Sequence, residues 1–209
     1  MDEARIGRRS LLGAAGLLMA APLDAQAAGR KPRLVIQTSL GAIVVELEDQ
    51  KAPITSANFL RYVDAHKYDG GTFYRASRTK GVKGAGSIQG GPPDRARRFA
   101  PIAHESTRKT GLRHKAGTIS MARNAPGTAT CDFFICASPM PYLDAHPGGP
   151  KAASGDDNEG FAAFGSVVQG MDVVKKILAQ PANGFAPYPV MKGQMLEPRI
   201  PIVSLKRAI

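Results

Sequence analysis

The chain has 209 residues, 43% hydrophobic and 22% charged, a composition that supports one folded domain with some length to spare and excludes a multidomain assembly or a disordered chain. Twenty-three glycines and sixteen prolines are too many for a helix bundle and point to short strands separated by turns. With 28 Lys and Arg against 17 Asp and Glu, the net charge is +11, which favours acidic partners, nucleic acid or anionic lipid without choosing among them.

The first 27 residues have the three parts of an export signal: the Arg8-Arg9 pair, an apolar stretch over 11–21, and Ala25-Gln26-Ala27 as a small-residue cleavage site. That stretch is too short to cross a bilayer as a helix, which takes about 20 residues. A cleaved signal is therefore expected over 1–27, with no stable membrane insertion after its removal. The run Arg8-Arg9-Ser10-Leu11-Leu12 resembles a twin-arginine export signal, with Gly7 where Ser or Thr is commoner, although a secretory leader has the same layout. The mature domain is then expected over 28–209, periplasmic or otherwise exported.

Residues 33–48 read as a hairpin, because Leu34-Val35-Ile36 and Ile43-Val44-Val45 flank the turn Ser39-Leu40-Gly41. Pro53 marks a helix start, and Ile54, Ala57, Leu60 and Val63 recur at helical spacing up to His66, before Gly70-Gly71 ends the segment. Short strands follow at 72–74, 87–89, 117–122, 132–137 and 161–168, each between Gly, Pro or charged turns. The segment 145–160, with Asp156-Asp157-Asn158-Glu159, reads as a long polar loop without the spacing of a calcium site. A second helix is expected over 172–178, and a last strand over 200–205 as a partner for the first hairpin. Many short strands, two isolated helices and no βαβ rhythm suit a mainly β fold. A closed antiparallel barrel with helices over its ends removes the strand edges that would otherwise be exposed.

Cys131 and Cys136 flank a strand-like run and would stand ~16 Å apart in extended chain, beyond the ~7 Å that a disulfide spans. They are read as unpaired, Cys136 as a small buried hydrophobe. The chain has no CxxC pair and no GxSxG, HExxH or GxxxxGK motif, and Gly84-Ala85-Gly86 reads as a glycine-rich bend. His66, His104, His114 and His146 are scattered, with only the adjacent His104-Glu105 as a weak pair. Covalent hydrolysis and zinc chemistry have no support in these residues, and no metal or cofactor is expected.

Four runs taken in order change the reading. Phe73-Tyr74-Arg75, then Gln89-Gly90-Gly91, then Ser120-Met121-Ala122-Arg123, and Phe133-Phe134-Ile135 before Tyr142-Leu143-Asp144 resemble the signature segments of the cyclophilin family of peptidyl-prolyl isomerases. The resemblance runs from Val35 to Leu205. It implies a closed eight-stranded antiparallel barrel capped by two helices, and acceleration of X-Pro rotation as the activity. The implied partners are proline-containing segments of exported proteins. It also implies Arg75 as the catalytic residue, Gln89 holding the substrate backbone or orienting Arg75, Ala122 and Arg123 lining the peptide groove, and Phe134 as the floor of the proline pocket. Tyr142, Leu143 and Phe161 fall along the groove wall. Tyr142 stands where animal members carry a tryptophan, on whose indole the resemblance suggests cyclosporin-type inhibitors lean, and this chain has no Trp. Phe161 takes the place of a histidine or tyrosine.

The chain departs from the family pattern in four further places. Residues 76–88 are several more than the usual spacing between the arginine and the glutamine. With Arg78, Lys80 and Lys83, they read as a charged loop long enough to carry Arg75 away from the groove. Gly86 and Ser87 stand where two large apolar residues normally wall the pocket, and Asp132 stands where a glutamine usually does. Two other readings remain open on sequence grounds. One is a peptide-binding or chaperone module on the same scaffold with little turnover. The other is nucleic-acid binding drawn from charge alone, against which export argues.

Overall fold

Alternating burial along the first hairpin decides which side of the sheet becomes the interior. The computed structural model describes residues 29–94, 96, 98–146 and 158–208, so the expected export signal and most of the polar loop 145–160 lie outside the described residues. Strand β1 (Arg33–Thr38) buries Leu34 and Ile36, and β2 (Gly41–Leu47) buries Ile43, Val45 and Leu47, the period-2 pattern of a half-buried strand. The remaining strands are β3 (Thr72–Arg78), β4 (Gly86–Gly91), β5 (Thr118–Met121), β6 (Phe133–Cys136), β7 (Ala162–Gln169) and β8 (Met195–Arg207). They close into an eight-stranded antiparallel barrel in the order β1-β2-β7-β5-β6-β4-β3-β8. β8 runs well beyond the expected 200–205 because it serves two neighbours, pairing with β1 through its second half and with β3 through Met195, Ile200 and Pro201.

Aromatic rings fill the interior. Phe59, Tyr62, Tyr68, Phe73, Phe133 and Phe164 are fully buried. The Phe59 centroid lies 5.0 Å from that of Tyr68, 5.3 Å from Phe133 and 5.1 Å from Phe164, in tilted and edge-on contacts that each add about 0.5–1.5 kcal/mol to simple burial. Phe59 belongs to α1 (Pro53–Asp64), which buries Thr55, Ser56, Asn58, Phe59, Tyr62 and Val63. The helix starts where the sequence put it, and of the expected face Val63 is buried and Leu60 packs partly buried on the core, but Ile54 and Ala57 face outward. Ile54 is exposed, because turning the helix toward the barrel on Phe59 and Tyr62 removes far more apolar area from water. Ala52 at the N-cap supplies no capping side chain. The carboxylate of Glu105 takes that part, accepting from the backbone N–H of Ile54 at 3.2 Å and of Thr55 at 2.8 Å and from the Thr55 hydroxyl at 2.6 Å, where the helix dipole favours a negative charge. The His104-Glu105 pair thus divides, His104 meeting the Glu159 carbonyl at 3.0 Å instead.

A single turn, α2 (Thr107–Thr110), is an element the sequence did not suggest. The second expected helix is α3 (Met171–Leu178), which buries Val173, Val174, Ile177 and Leu178 and packs on β2, β3 and β4.

Nearly half of the insertion between Arg75 and Gln89 is strand rather than loop. β3 continues to Arg78 and β4 begins at Gly86, with Arg75 opposite Gln89, Ala76 opposite Ile88, Ser77 opposite Ser87 and Arg78 opposite Gly86. Only 79–85 form the connection. Arg78 donates from Nε to the Leu178 carbonyl at 2.8 Å and from Nη2 to that of Gln180, placing a cation at the C-terminal end of α3. Gly86 has φ +138°, and a Cβ there would meet the Ser77 carbonyl oxygen at 2.1 Å, so the close approach requires glycine. The longer segment does not displace Arg75, because a paired hairpin extension holds the arginine in register.

Both cysteines are buried and free. Among the described residues, no helix is long and apolar enough to cross a membrane, and no group of three His, Cys, Asp or Glu is placed to hold a metal ion.

Candidate active site

The alternation that fills the barrel leaves a second, smaller apolar cluster on its outer face. On β6, Phe133 and Ile135 point into the core, so Phe134 and Cys136 point outward, where they bury against Met140 with Ala122, Leu143 and Phe161 half-buried around them. Strand register sets the polar partners. Arg75 lies opposite Gln89, Gln89 opposite Phe134 and Phe134 opposite Ser120, one row across β3, β4, β6 and β5. The groove over this row encloses about 390 Å³, and Arg75, Gln89, Ala122, Arg123, Phe134, Tyr142, Leu143 and Phe161 all line it. The fold thus brings together every site residue singled out from the sequence.

Phe134 is only 7% exposed and is held on two sides. Phe161 meets it edge-on at 5.5 Å, and the His114 ring stacks parallel to it at 5.9 Å. His114 is fixed in turn, Nδ1 lying 2.7 Å from Asp144 Oδ1 and Nε2 3.0 Å from Ser120 Oγ. The nitrogen facing the carboxylate carries the proton, so Nε2 accepts from the Ser120 hydroxyl. Burial pushes the His114 pKa below the ordinary histidine value, and the Asp144 carboxylate pulls part of the way back. This Asp-His-Ser order has the connectivity of a nucleophilic triad, but Ser120 is 0% exposed, beneath the surface that a substrate meets. The network braces the pocket floor. Sequence reasoning missed it because His114 and Asp144 are 30 residues apart with no motif linking them.

The Arg75 guanidinium donates from Nη1 to Gln89 Oε1 at 3.0 Å and from Nε to Gln194 Oε1 at 2.8 Å. Burial lowers its pKa from the usual arginine value, yet guanidinium remains cationic. Asp132 also lines the groove and accepts from the Tyr74 hydroxyl at 3.1 Å. Arg123 donates from Nε to the Gly160 carbonyl at 2.9 Å and from Nη1 to that of Asn124 at 3.0 Å, with Nη2 also on Gly160. Its guanidinium lies 5.1 Å over the Phe161 ring, making a stacked wall. Tyr142 sits 60% exposed at the rim. Ser87 is as small as the sequence suggested, but Met191 lines the same groove. Neither Met191 nor Gln194 belongs to a recognisable motif. Both come from the segment between α3 and β8.

A cationic donor fork beside an apolar pocket, with the Asp144-His114-Ser120 chain sealed beneath its floor, suits an enzyme site that holds a peptide and polarises it without covalent chemistry. The family model for cyclophilin type peptidyl-prolyl cis-trans isomerases matches residues 33–206. A peptidyl-prolyl cis-trans isomerase of Acinetobacter baylyi is 35% identical over 151 residues, 72% of this chain and 73% of that protein. One of Streptomyces antibioticus is 38% identical over 145 residues, 68% and 80% of the two chains, and isomerase B of Escherichia coli is 35% identical over 147 residues, 69% and 82%. A solved cyclophilin type isomerase of Cryptosporidium parvum, studied in the presence of the dipeptide Ala-Pro, superposes with a TM-score of 0.64 at 21% identity, covering 85% of this chain and 99% of that one. The chain belongs to the cyclophilin-type peptidyl-prolyl cis-trans isomerases and is an enzyme of that activity.

Proposed function

We propose that this isomerase acts on X-Pro bonds in exported proteins as they fold, with the bond seated in the groove over Phe134 and Arg75 as the catalytic residue. The observation that carries this reading is the Arg75 guanidinium, tied to Gln89 at the edge of the pocket that Phe134 floors. Rotation about the X-Pro bond meets a barrier of ~18–20 kcal/mol because the amide C–N bond has partial double-bond character. Uncatalysed, it takes ~10–100 s. As the amide twists, its nitrogen loses resonance and gains a lone pair, which an N–H of Arg75 stabilises. Phe134 holds the ring, and Ala122, Arg123, Tyr142, Leu143 and Phe161 contact the flanking chain. The residues 1–27 support export, and the Ala-Pro dipeptide studied with the Cryptosporidium relative supports a proline-containing ligand.

Two measurements test the proposal. Isotope-labelled protein titrated with a short Ala-Pro peptide is expected to shift the resonances of Ala122, Phe134 and Phe161 first, and shifts confined elsewhere refute the groove. Expressed in a bacterial host, the protein is expected outside the cytoplasm without residues 1–27. Cytoplasmic retention with those residues attached refutes the export reading. Arg8→Lys with Arg9→Lys separates the routes, because a secretory leader tolerates lysine.

A further inference from the structure

A guanidinium carries five N–H donors in a rigid plane, and its use in catalysis depends on which of them stay aimed at the reacting nitrogen. Arg75 is held from two directions. Gln89, its cross-strand neighbour, accepts from Nη1, and Gln194, 119 residues further on, accepts from Nε at 2.8 Å. Gln194 follows the single turn Pro189–Met191 and immediately precedes β8. Its side chain is itself fixed, because the amide Nε2 donates to the Val190 carbonyl at 2.8 Å, leaving Oε1 for Arg75. The backbone sets the same alignment, with the Ala76 N–H donating to the Gln194 carbonyl at 2.8 Å and Arg75 in register with Met195. The turn that delivers Gln194 also contributes Met191 to the groove lining. An acceptor at Nη1 alone lets the guanidinium plane swing about that one contact, whereas acceptors at Nη1 and Nε fix the plane. The remaining three donors have no partner among the described residues. Because the second acceptor is a neutral amide, the positive charge is left for the substrate.

We infer that Gln194 is a positioning residue of the isomerase, holding Arg75 by its Nε so that the unused donors face the prolyl nitrogen. The inference rests on Arg75 as the catalytic residue. The test compares Gln194→Ala, Gln194→Glu, Arg75→Ala and the double variants Arg75→Ala/Gln194→Ala and Arg75→Ala/Gln194→Glu of the purified isomerase, with rates on a short X-Pro peptide followed by exchange NMR. Gln194→Ala is expected to lower kcat roughly tenfold or more with KM within about twofold. Added to Arg75→Ala it is expected to change the residual rate no further, since its effect passes through the arginine. Gln194→Glu keeps the acceptor but sets a titratable carboxyl against Nε, so kcat is expected to acquire a pH dependence beyond that of wild type, where His114 under Phe134 also titrates, and the added dependence is expected to disappear when Arg75 is also alanine. Unchanged kcat in Gln194→Ala, or a second full loss in the double variant, overturns the inference. If Gln194→Ala does not fold, the Gln194→Glu profile decides, and a profile matching wild type is the overturning result. Full activity in Gln194→Ala beside lost activity in Arg75→Ala refutes the positioning role alone. Full activity in Arg75→Ala refutes the catalytic reading beneath it.

Discussion

Truncating Arg75 separates a group that acts on the twisted amide from one that merely lines a binding surface. Of the five guanidinium N–H groups, Gln194 and Gln89 occupy two. The others have no partner among the described residues, on a side chain that lines the groove. Arg75→Ala therefore removes every guanidinium donor that this side chain offers the prolyl nitrogen. If one strong donor is lost only in the transition state, the barrier rises by about 2.7–4 kcal/mol, or ~10²–10³ in rate. The folded state pays little. The two glutamine oxygens turn to water in an open groove, and the stability change is expected within about 1 kcal/mol. A protease-coupled isomerisation assay gives the rate, and calorimetric titration with a non-reacting proline peptide gives ground-state affinity. The expected outcome is a large fall in kcat with Kd nearly unchanged. Phe134→Ala provides the contrast, because the ring is held in ground and transition states alike, and binding and turnover should weaken together. An unchanged rate in Arg75→Ala, or equal losses in Kd and kcat, refutes the assignment of Arg75 as the donor.

Burial pushes the Cys136 thiol up to about 12, so at pH 8 only about one molecule in 10⁴ carries the thiolate; alkylation by iodoacetamide is expected to need unfolding, and rapid labelling of native Cys136 contradicts this. The His114 pKa is lowered in the fold from the ordinary 6.5, so the unfolded chain takes up the proton first. The stability contribution is whole above about pH 6.5 and falls by up to ~1.4 kcal/mol per pH unit below it, until the folded imidazole is itself protonated. Denaturation midpoints at pH 7.5 and 5.5 should differ more for wild type than for His114→Gln, and equal differences refute the linkage. Tyr142→Trp is expected to strengthen binding of cyclosporin-type inhibitors roughly ten- to a hundredfold by restoring indole area and donor at the rim, read by competition titration, and an affinity equal to wild type shows the position to be immaterial.

Local patterns made much of this protein legible from its residues alone. β-branched alternation announced the hairpin, Pro53 marked the start of the first helix, and ordered motifs located the eight groove residues. These signals survive folding because side-chain direction in a strand alternates regardless of what lies across the sheet. Tertiary packing decided the rest. Helical spacing favoured Ile54, Ala57, Leu60 and Val63 for the inner face of α1, but beside Val63 and part of Leu60 the barrel end accepts the rings of Phe59 and Tyr62 rather than Ile54 and Ala57. The residues of the insertion that pair, among them Ser77, Arg78, Gly86 and Ser87, are small or polar and show no alternation. Their pairing is propagated from the register of Arg75 and Ile88. Glu105 on the N-terminus of α1, His114 between Asp144 and Ser120, and Gln194 on Arg75 are polar contacts spanning 51, 30 and 119 residues at their longest. A polar side chain carries no mark of its partner in the sequence, and these partners meet only because closing the barrel brings distant strands and connections to one face.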